Sequence, residues 1–197
     1  MIRIGVVALQ GDVAEHQEML GKLGVEPVLV RDVSQLQTLD GLIIPGGETT
    51  AVGLFFTKTG LDKAIKKMAN EGLPVWGTCM GAILIGKKIV DNKLKLPSLG
   101  LLDIKIRRNA YGRQSESFEQ SIPIAALSGE AYPCVFIRAP WIEDAGKHVS
   151  ILAQFQGKPI LVEENNIMAS TFHPELTKDT RLHEYFIGIV RKRGASN

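Results

Sequence analysis

The first half of the chain alternates short β-branched runs with segments of helical spacing, and this alternation restricts the fold more than any other feature. Residues 2–8 form an apolar run that predicts a buried first strand, and the apolar spacing after it predicts a helix that ends at Gly24. Asp12, followed three residues later by Glu15, is typical of a capping box at the start of this helix. Strands joined by helices pair in parallel through right-handed crossovers, so the pattern predicts a parallel sheet with helices on both faces.

The alternation continues up to residue 89, after which predicted strands dominate. Further strands are predicted at residues 28–30, 41–44, 74–77, 101–107, 134–138, 149–155, 159–163 and 167–172. Further helices are predicted between residues 61 and 72, over 80–89 and over 179–191. No repeat, low-complexity tract or long linker divides the chain. We therefore expect a single α/β domain over residues 1–197, with a mostly parallel central sheet that some of the later strands extend in antiparallel fashion.

Charge and cysteine content exclude several classes of protein. The net charge is only +2 over 197 residues, and the one dense basic cluster, at residues 191–193, ends the last predicted helix, where cations suit the helix dipole. This distribution gives no electrostatic footprint for nucleic acid or a membrane surface. Two cysteines outside any CxxC pair do not describe a disulfide scaffold. The apolar N-terminal run is too short for a spanning helix or a signal peptide, so a cytoplasmic location is expected.

The motif Gly-Thr-Cys-Met-Gly at residues 77–81 lies between a predicted strand and a predicted helix, which is the layout of a nucleophile elbow. Such a turn needs glycines on both sides of the nucleophile, because side chains there would collide with neighbouring strands. The helix N-terminus favours the thiolate of Cys79, and the first-turn amide of Met80 is suited to bind an oxyanion. A small buried cysteine also fits the pattern. Cys134 lies in an apolar run without flanking glycines and is interpreted as core packing.

The motif His-Pro-Glu at residues 173–175 directly follows a predicted strand. His173 is suited to take a thiol proton near neutral pH, and Pro174 restricts it to extended geometry. Glu175 is then placed to orient one ring nitrogen, as the acid does in a nucleophile–base–acid triad. In isolation the motif is also typical of a surface turn that begins the last helix. Because Cys79 and His173 both follow the C-terminal ends of predicted strands, which share one crevice in an open α/β sheet, we expect them to meet.

A third motif, Pro-Gly-Gly-Glu-Thr at residues 45–49, also follows a predicted strand. Adjacent glycines let backbone N–H groups approach a ligand closely, which is suited to a second oxyanion donor. The segment lacks the pattern of a phosphate-binding loop and is also typical of a plain turn. The remaining histidines, His16, His148 and His183, lack metal-ligand spacing and are interpreted as structural or surface residues. No metal site and no cofactor are therefore predicted.

These residues favour a cysteine-nucleophile amidase but leave two alternatives open. A cysteine α/β-hydrolase that acts on esters or lactones also carries a GxCxG elbow, although its acid usually precedes the histidine in sequence. A catalytically silent regulatory subunit would need none of the three groups, so the presence of Cys79, His173 and Glu175 counts against it.

In their order, the three motifs resemble those of class I, triad-type glutamine amidotransferase domains. Longer blocks across nearly the whole chain resemble the glutaminase subunits of pyridoxal 5′-phosphate synthases. These blocks are Ala-Leu-Gln-Gly-Asp at 8–12, Arg-Asn-Ala-Tyr-Gly-Arg-Gln at 108–114, Ser-Phe-Glu at 117–119, Ile-Arg-Ala-Pro at 137–140 and Phe-His-Pro-Glu-Leu at 172–176.

The resemblance implies a flavodoxin-like, three-layer α/β domain that hydrolyses L-glutamine to L-glutamate and ammonia. It also implies a partner, a pyridoxal 5′-phosphate synthase subunit of (β/α)8-barrel fold, which would receive the ammonia to build the vitamin B6 cofactor. By the same resemblance Cys79 is the nucleophile, His173 the general base and acid, and Glu175 the orienting acid.

The resemblance assigns further residues to the site. It implies a glutamine-binding set that comprises Gly47, Glu48, Thr49, Arg108, Ile137 and Arg138. The amides of Gly47 and Met80 are expected in the oxyanion hole, and Gln10 matches a position near the active site and the synthase-facing surface. Two positions depart from the family pattern: Met80 stands where alanine is common, and Thr49 stands where serine is usual. Neither departure removes a catalytic group.

Overall fold

The computed structural model describes residues 1–8, 11–47, 49–90, 92–93, 95–108 and 117–195, with only the backbone of residues 49–52 and 54. The strands are β1 (Arg3–Val7), β2 (Glu26–Val30), β3 (Gly41–Ile44), β4 (Val75–Thr78), β5 (Gly86–Val90), β6 (Leu102–Arg107), β7 (Ser117–Ile122), β8 (Tyr132–Ile137), β9 (Trp141–Ala145), β10 (Ser150–Phe155), β11 (Lys158–Glu164) and β12 (Ile167–Ser170). The helices are α1 (Val13–Lys22), α2 (Thr49–Thr59), α3 (Leu61–Asn70), α4 (Met80–Ile85) and α5 (Arg181–Gly194), with 3₁₀ turns at Val33–Thr38 and Pro174–Leu176.

A seven-stranded sheet in the order β10-β11-β12-β4-β3-β1-β2 forms the centre of the molecule. Strands β2, β1, β3, β4 and β12 run parallel, whereas β11 and β10 add an antiparallel edge. The predicted mostly parallel sheet with an antiparallel extension is confirmed. Pairing of β12 with β4 sets Ser170 opposite Thr78, so the chain leaves both strands at the same edge of the sheet. The residues that follow these two strands are therefore neighbours.

Helices cover both faces of this sheet, as the strand–helix alternation predicts. On β4, Val75 joins the apolar cluster that contains Ile65 of α3, while the next residue, Trp76, packs against Phe186 of α5 with ring centroids 5.5 Å apart. Successive residues of a strand point to opposite faces, so both kinds of position on β4 must be apolar. Burying a side chain of this size stabilises the fold by about 1.5–3 kcal/mol.

The segment after the nucleophile motif differs from the prediction. A helix over residues 80–89 was expected, but α4 ends at Ile85 because Gly86 adopts extended backbone with φ −62° and ψ 151°. Residues 86–90 then form β5, in which Lys87 and Lys88 are exposed and Ile89 is buried. Strand β5 pairs with β6, and β6 with β9, in a separate three-stranded sheet.

Several elements had no clear signal in the sequence. Helix α2, strands β7 and β9 and the 3₁₀ turn at Val33–Thr38 were not predicted. Strands β7 and β8 form a two-stranded antiparallel sheet that packs through Phe118 and Phe136, whose stacked rings lie 4.6 Å apart. Within the described part of the chain, no helix is both long and apolar enough to cross a membrane.

Candidate active site

Cys79 occupies a strained turn between β4 and α4. Its backbone has φ 48° and ψ −105°, a conformation that side-chain-bearing residues rarely adopt and that costs about 1–3 kcal/mol. The backbone N–H of Cys79 donates a hydrogen bond of 2.8 Å to the carbonyl of Ser170 at the end of β12. The residue is 9% exposed, so the thiol lies at the floor of the site and not on an open surface.

The glycines around Cys79 are required by close packing of backbone on backbone. A Cβ at Gly81 would lie 1.9 Å from the carbonyl oxygen of Ile44 in β3. A Cβ at Gly77 would lie 2.5 Å from the carbonyl carbon of Gly81 itself. Neither position has room for a side chain. The predicted collision with a neighbouring strand is confirmed at Gly81, whereas at Gly77 the collision is with the backbone of α4.

His173 and Glu175 form a buried pair directly after β12. The backbone N–H of His173 donates to the carbonyl of Val135 at 2.8 Å, which fixes the chain as it leaves the sheet. Glu175 lies in the 3₁₀ turn that Pro174 begins, and its Oε1 is 2.8 Å from Nδ1 of His173. Both residues are only 4% exposed. The contact that the His-Pro-Glu spacing predicts is therefore present, and the surface-turn interpretation of this motif is wrong.

A second carboxylate, that of Asp12, lies against the same ring nitrogen. Its Oδ2 is 3.0 Å from Nδ1 of His173, and its side chain is 29% exposed. The predicted capping box with Glu15 is wrong, because the Asp12 side chain makes no hydrogen bond to the start of α1. Sequence reasoning missed this contact, since an aspartate before a helix is already explained by its capping preference.

Two buried histidines continue the cluster behind Glu175. Nε2 of His16 lies 3.3 Å from Oε2 of Glu175 and 3.3 Å from the hydroxyl of Thr78. Nδ1 of His16 lies 3.1 Å from Nε2 of His183 on α5. Both histidines are fully buried. Of the two interpretations, structural or surface residue, the structural one is therefore confirmed for His16 and His183. His148 lies in an exposed turn.

Burial and charge shift the pKa values of the clustered groups in different directions. Burial alone lowers the pKa of His173, but the neighbouring Asp12, Cys79 and Glu175 outweigh it and raise that pKa well above its usual range. The hydrogen bond to His173 lowers the pKa of Asp12. Burial raises the pKa of Glu175, although His173 opposes the effect.

The two histidines behind the site stay neutral. Burial lowers the pKa of His183 to about 3. Burial also lowers the pKa of His16 well below its usual range, and the neighbouring His183 and His173 lower it further. The cluster therefore concentrates positive charge on a single ring, that of His173, beside two carboxyl groups.

The glycine loop after β3 lies over His173. The N–H of Gly46 donates to the hydroxyl of Thr78 at 3.1 Å, and a Cβ at Gly46 would lie 2.6 Å from Cε1 of His173. Gly47 is exposed with φ 153°. Glu48 and Gln10 lie outside the described residues, and of Thr49 only the backbone, at the start of α2, is described.

The other predicted glutamine contacts are placed unequally. The carbonyl oxygen of Ile137 lies 3.9 Å from Sγ of Cys79, so the end of β8 reaches the Cys79 side chain. Arg138 is exposed, with a strained φ of 43°. Arg108 is half-buried directly after β6, and no hydrogen bond joins it to another described residue. Cys134 is fully buried in the core, as its apolar surroundings predict.

Within the described ranges, one group of side chains could hold a metal ion. It comprises Asp12, His173 and Glu175, whose ligand atoms all lie within 4.8 Å of one another. The spacing of the sequence gave no hint of this group. Nδ1 of His173 forms a hydrogen bond of 2.8 Å with Oε1 of Glu175 and an ion pair of 3.0 Å with Oδ2 of Asp12.

Known proteins that resemble this chain share nearly its whole length. A model of the SNO glutamine amidotransferase family matches residues 6–192. A relative from Thermotoga neapolitana, named pyridoxal 5′-phosphate synthase subunit PdxT, is 49% identical over 190 residues, which cover 96% of this chain and 100% of the relative. A relative of the same name from Brevibacillus brevis is 46% identical over 191 residues, with 97% and 98% of the two chains covered.

Solved structures agree with these sequence relatives. A crystal structure of a glutamine amidotransferase superimposes with a TM-score of 0.90 at 43% identity and covers 95% of this chain and 98% of its own. A putative GMP synthase component from Thermoplasma acidophilum, at 20% identity, a TM-score of 0.70 and coverage of 99% and 96%, shares the fold. The family match over most of the chain, together with relatives of nearly half-identical sequence, shows that the chain belongs to the SNO glutamine amidotransferase family.

Proposed function

We propose that this chain is the glutaminase subunit of a pyridoxal 5′-phosphate synthase and hydrolyses L-glutamine to L-glutamate and ammonia. The observation that carries the proposal is the strained Cys79 turn, which shares one edge of the sheet with the buried His173–Glu175 pair. This constellation has the parts of a nucleophile, a base and an orienting acid, and it lies in a chain of the glutamine amidotransferase family.

In the proposed mechanism, His173 holds the proton that Cys79 loses, and the thiolate attacks the side-chain carbonyl carbon of glutamine. A C–S bond forms as the carbonyl oxygen takes the negative charge. Collapse of this intermediate breaks the C–N bond, and His173 passes its proton to the leaving ammonia. Water, which gives a proton to His173, then attacks the thioester and releases glutamate. Glu175 keeps the imidazole oriented through both steps, and its bond of 2.8 Å to Nδ1 supports that role.

The oxyanion is proposed to be held by the amides of Met80 and Gly47. Met80 is the first residue of α4, where backbone N–H groups lack intrahelical partners. Gly47 belongs to the loop after β3, in which the preceding residue, Gly46, packs on His173. Losing one such donor costs roughly 3–4 kcal/mol of barrier stabilisation, which corresponds to a rate loss of about 10²–10³.

The proposed glutamine site comprises Gly47, Glu48, Thr49, Arg108, Ile137 and Arg138. The contact of the Ile137 carbonyl with Cys79 supports the placement of β8 beside the substrate. An arginine suits the α-carboxylate of glutamine, because its fork of N–H donors binds both oxygens. Gln10 is proposed to lie near this site and the synthase-facing surface.

The proposed partner is a pyridoxal 5′-phosphate synthase subunit of (β/α)8-barrel fold, which would take up the ammonia. Support comes from relatives named pyridoxal 5′-phosphate synthase subunit PdxT that match this chain over nearly the full length of both proteins. We propose that residues 1–197 act as one glutaminase domain, in the cytoplasm.

The test measures ammonia release from L-glutamine with and without the cognate synthase subunit. Turnover that rises with the synthase and is lost in Cys79→Ala is the expected result. Cys134→Ala serves as the matched control, because this second thiol is buried in the core and should leave turnover intact. No glutamine turnover in the presence of the synthase, with hydrolysis of a simple ester instead, would overturn the proposal in favour of a cysteine α/β-hydrolase.

A further inference from the structure

Nδ1 of His173 has two carboxylate partners although it carries a single proton. Oε1 of Glu175 lies at 2.8 Å and Oδ2 of Asp12 at 3.0 Å, both within hydrogen-bond distance. The triad in the proposed function accounts for Glu175 and leaves Asp12 without a role. A charged group this close to His173 changes the pKa of the imidazole.

The two carboxylates have different surroundings. The side chain of Glu175 is fully buried, and its second oxygen faces His16 at 3.3 Å. The side chain of Asp12 is 29% exposed, so water stabilises its negative charge. Asp12 therefore remains ionised at neutral pH, and it is the partner that supplies a fixed negative charge to the base.

The backbone holds Asp12 in this position by close packing. Gly11, with φ +105°, passes so near the glycine loop that a Cβ there would lie 1.8 Å from the carbonyl oxygen of Gly46. A Cβ at Gly46 would in turn lie 3.0 Å from Oδ2 of Asp12. The Asp12 side chain also makes no capping hydrogen bond to α1, although its position before the helix would favour one. Its carboxylate is thus directed at His173 and not at its own helix.

From this geometry we propose that Asp12 is a positioning residue that shares the Nδ1 proton of His173 with Glu175 and extends the pH range over which the base stays protonated. The inference rests on the proposed function, in which His173 serves Cys79. Asp12 touches neither the nucleophile nor, in the proposed mechanism, the reacting atoms, so it acts only through the imidazole.

Among the described residues, the charged and titratable groups that face His173 come from three elements. They are Asp12 before α1, Cys79 in the turn between β4 and α4, and Glu175 in the 3₁₀ turn. Behind Glu175, His16 and His183 are neutral because they are buried. Removing the Asp12 charge leaves the other groups in place. The imidazolium of His173 is then less stabilised, so the ring loses its proton at a lower pH.

The size of the effect follows from the contact and its exposure. An opposite charge at this range shifts a pKa by about 1–3 units, and partial exposure of Asp12 favours the low end. We expect Asp12→Asn to move the basic limb of the kcat/KM profile, measured with the synthase bound, down by about one pH unit. Asp12→Glu, which keeps the charge, should restore at least part of the shift, and Glu18→Gln, on an exposed part of α1, should leave the profile unchanged.

A second readout separates this inference from the proposed function. Histidine side chains labelled with ¹³C and ¹⁵N report the titration of His173 by NMR, with the resonance assigned through His173→Gln. A titration midpoint that falls by about one unit or more in Asp12→Asn supports the inference even if glutamine proves not to be the substrate. An unchanged His173 midpoint and an unchanged pH profile in Asp12→Asn would overturn it and leave Asp12 as a packing residue only.

Discussion

Gly81 is held in a position at the candidate site that leaves no room for a side chain. It is the second residue of α4, and a Cβ there would lie 1.9 Å from the carbonyl oxygen and 2.8 Å from the carbonyl carbon of Ile44. Real Cβ contacts essentially never fall below 3.0 Å, so Gly81→Ala must separate α4 from β3 by about 1 Å. Both sides of the contact are governed by backbone, so no change of rotamer relieves it.

Two effects follow from a displacement of this size. Overpacking costs about 1–3 kcal/mol, and an alanine in a helix returns at most about 1 kcal/mol, so we expect a net loss of about 2 kcal/mol of unfolding free energy. For a chain of this length that lowers Tm by about 4–8 °C. Cys79 lies two residues away, and a shift of about 1 Å in a catalytic group costs about 10²-fold in rate.

Differential scanning calorimetry and ammonia release in the presence of the synthase measure the two effects. The matched control is Gly188→Ala in α5, where a Cβ meets nothing within 4 Å. This control should raise Tm by about 2–4 °C, because it removes a helix glycine, and should keep full turnover. If Gly81→Ala unfolds and turns over glutamine like the unmodified chain, the argument that this turn has no room for a side chain is refuted.

Three further predictions test groups away from this turn. Burial lowers the pKa of His183 to about 3, so the unfolded chain takes up a proton there first, and stability should fall by up to about 1.4 kcal/mol per pH unit as the pH drops from about 6.5 to about 3. The unfolding free energy of His183→Gln, measured by urea unfolding at each pH, should fall less steeply with decreasing pH over that range. An equally steep fall would contradict the assignment. Asp179, whose pKa the hydrogen bond from Arg181 lowers, should lose about 1 kcal/mol of stability on change to Asn at pH 7, with the difference fading as the pH falls below about 4; a difference that persists at pH 2 would count against it. Iodoacetamide should label Cys79 in the native chain and reach Cys134, which is fully buried, only after denaturation; equal labelling by mass spectrometry would disprove the difference in access.

The parallel centre of the sheet was predictable because β1, β3, β4 and β12 are mostly apolar. Residues 2–8 are rich in β-branched residues and are followed by a helix and a second strand, and this context favours a strand buried on both faces. The error after the nucleophile arose from the same rule. The segment from Met80 onwards is apolar up to Ile85, and with Ile89 and Val90 it still fits helical spacing, whereas Gly86 begins a strand instead. Short apolar runs do not distinguish the two structures.

Local motifs pointed to Cys79, His173 and Glu175, the proposed nucleophile, base and acid, but not to the residues that surround them. Cys79 sits in a glycine frame, and Glu175 is two residues from His173, so both signals are short in sequence. Asp12 and His16 reach that pair from the other end of the chain, across more than 150 residues. In the sequence each already has a local explanation, as a helix cap and as a residue on an apolar helix face. Only the order of strands in the sheet, β12-β4-β3-β1, brings the end of β1 near the ends of β4 and β12.

The direction of the hydrogen bonds behind Glu175 follows from electrostatics. Nε2 of His16 lies 3.3 Å from Oε2 of Glu175 and 3.3 Å from the hydroxyl of Thr78, and the negative charge of the carboxylate favours the tautomer in which this nitrogen carries the proton. Nδ1 of His16 then accepts from Nε2–H of His183, and Nδ1 of His183 is left as a bare lone pair with no hydrogen-bond partner in the described part of the chain.

Glu175 forms a hydrogen bond of 2.8 Å with His173 through Oε1, and its buried Oε2 lies 3.3 Å from Nε2 of His16. Its side chain is fully buried between these two rings. Asp12 has one oxygen on the same imidazole and a side chain that is partly open to solvent. Of the two carboxylates on the base, Glu175 is therefore the fixed one and Asp12 the one that is free to exchange with water, which is why neutralising Asp12 should shift the titration of His173 without dismantling the pair.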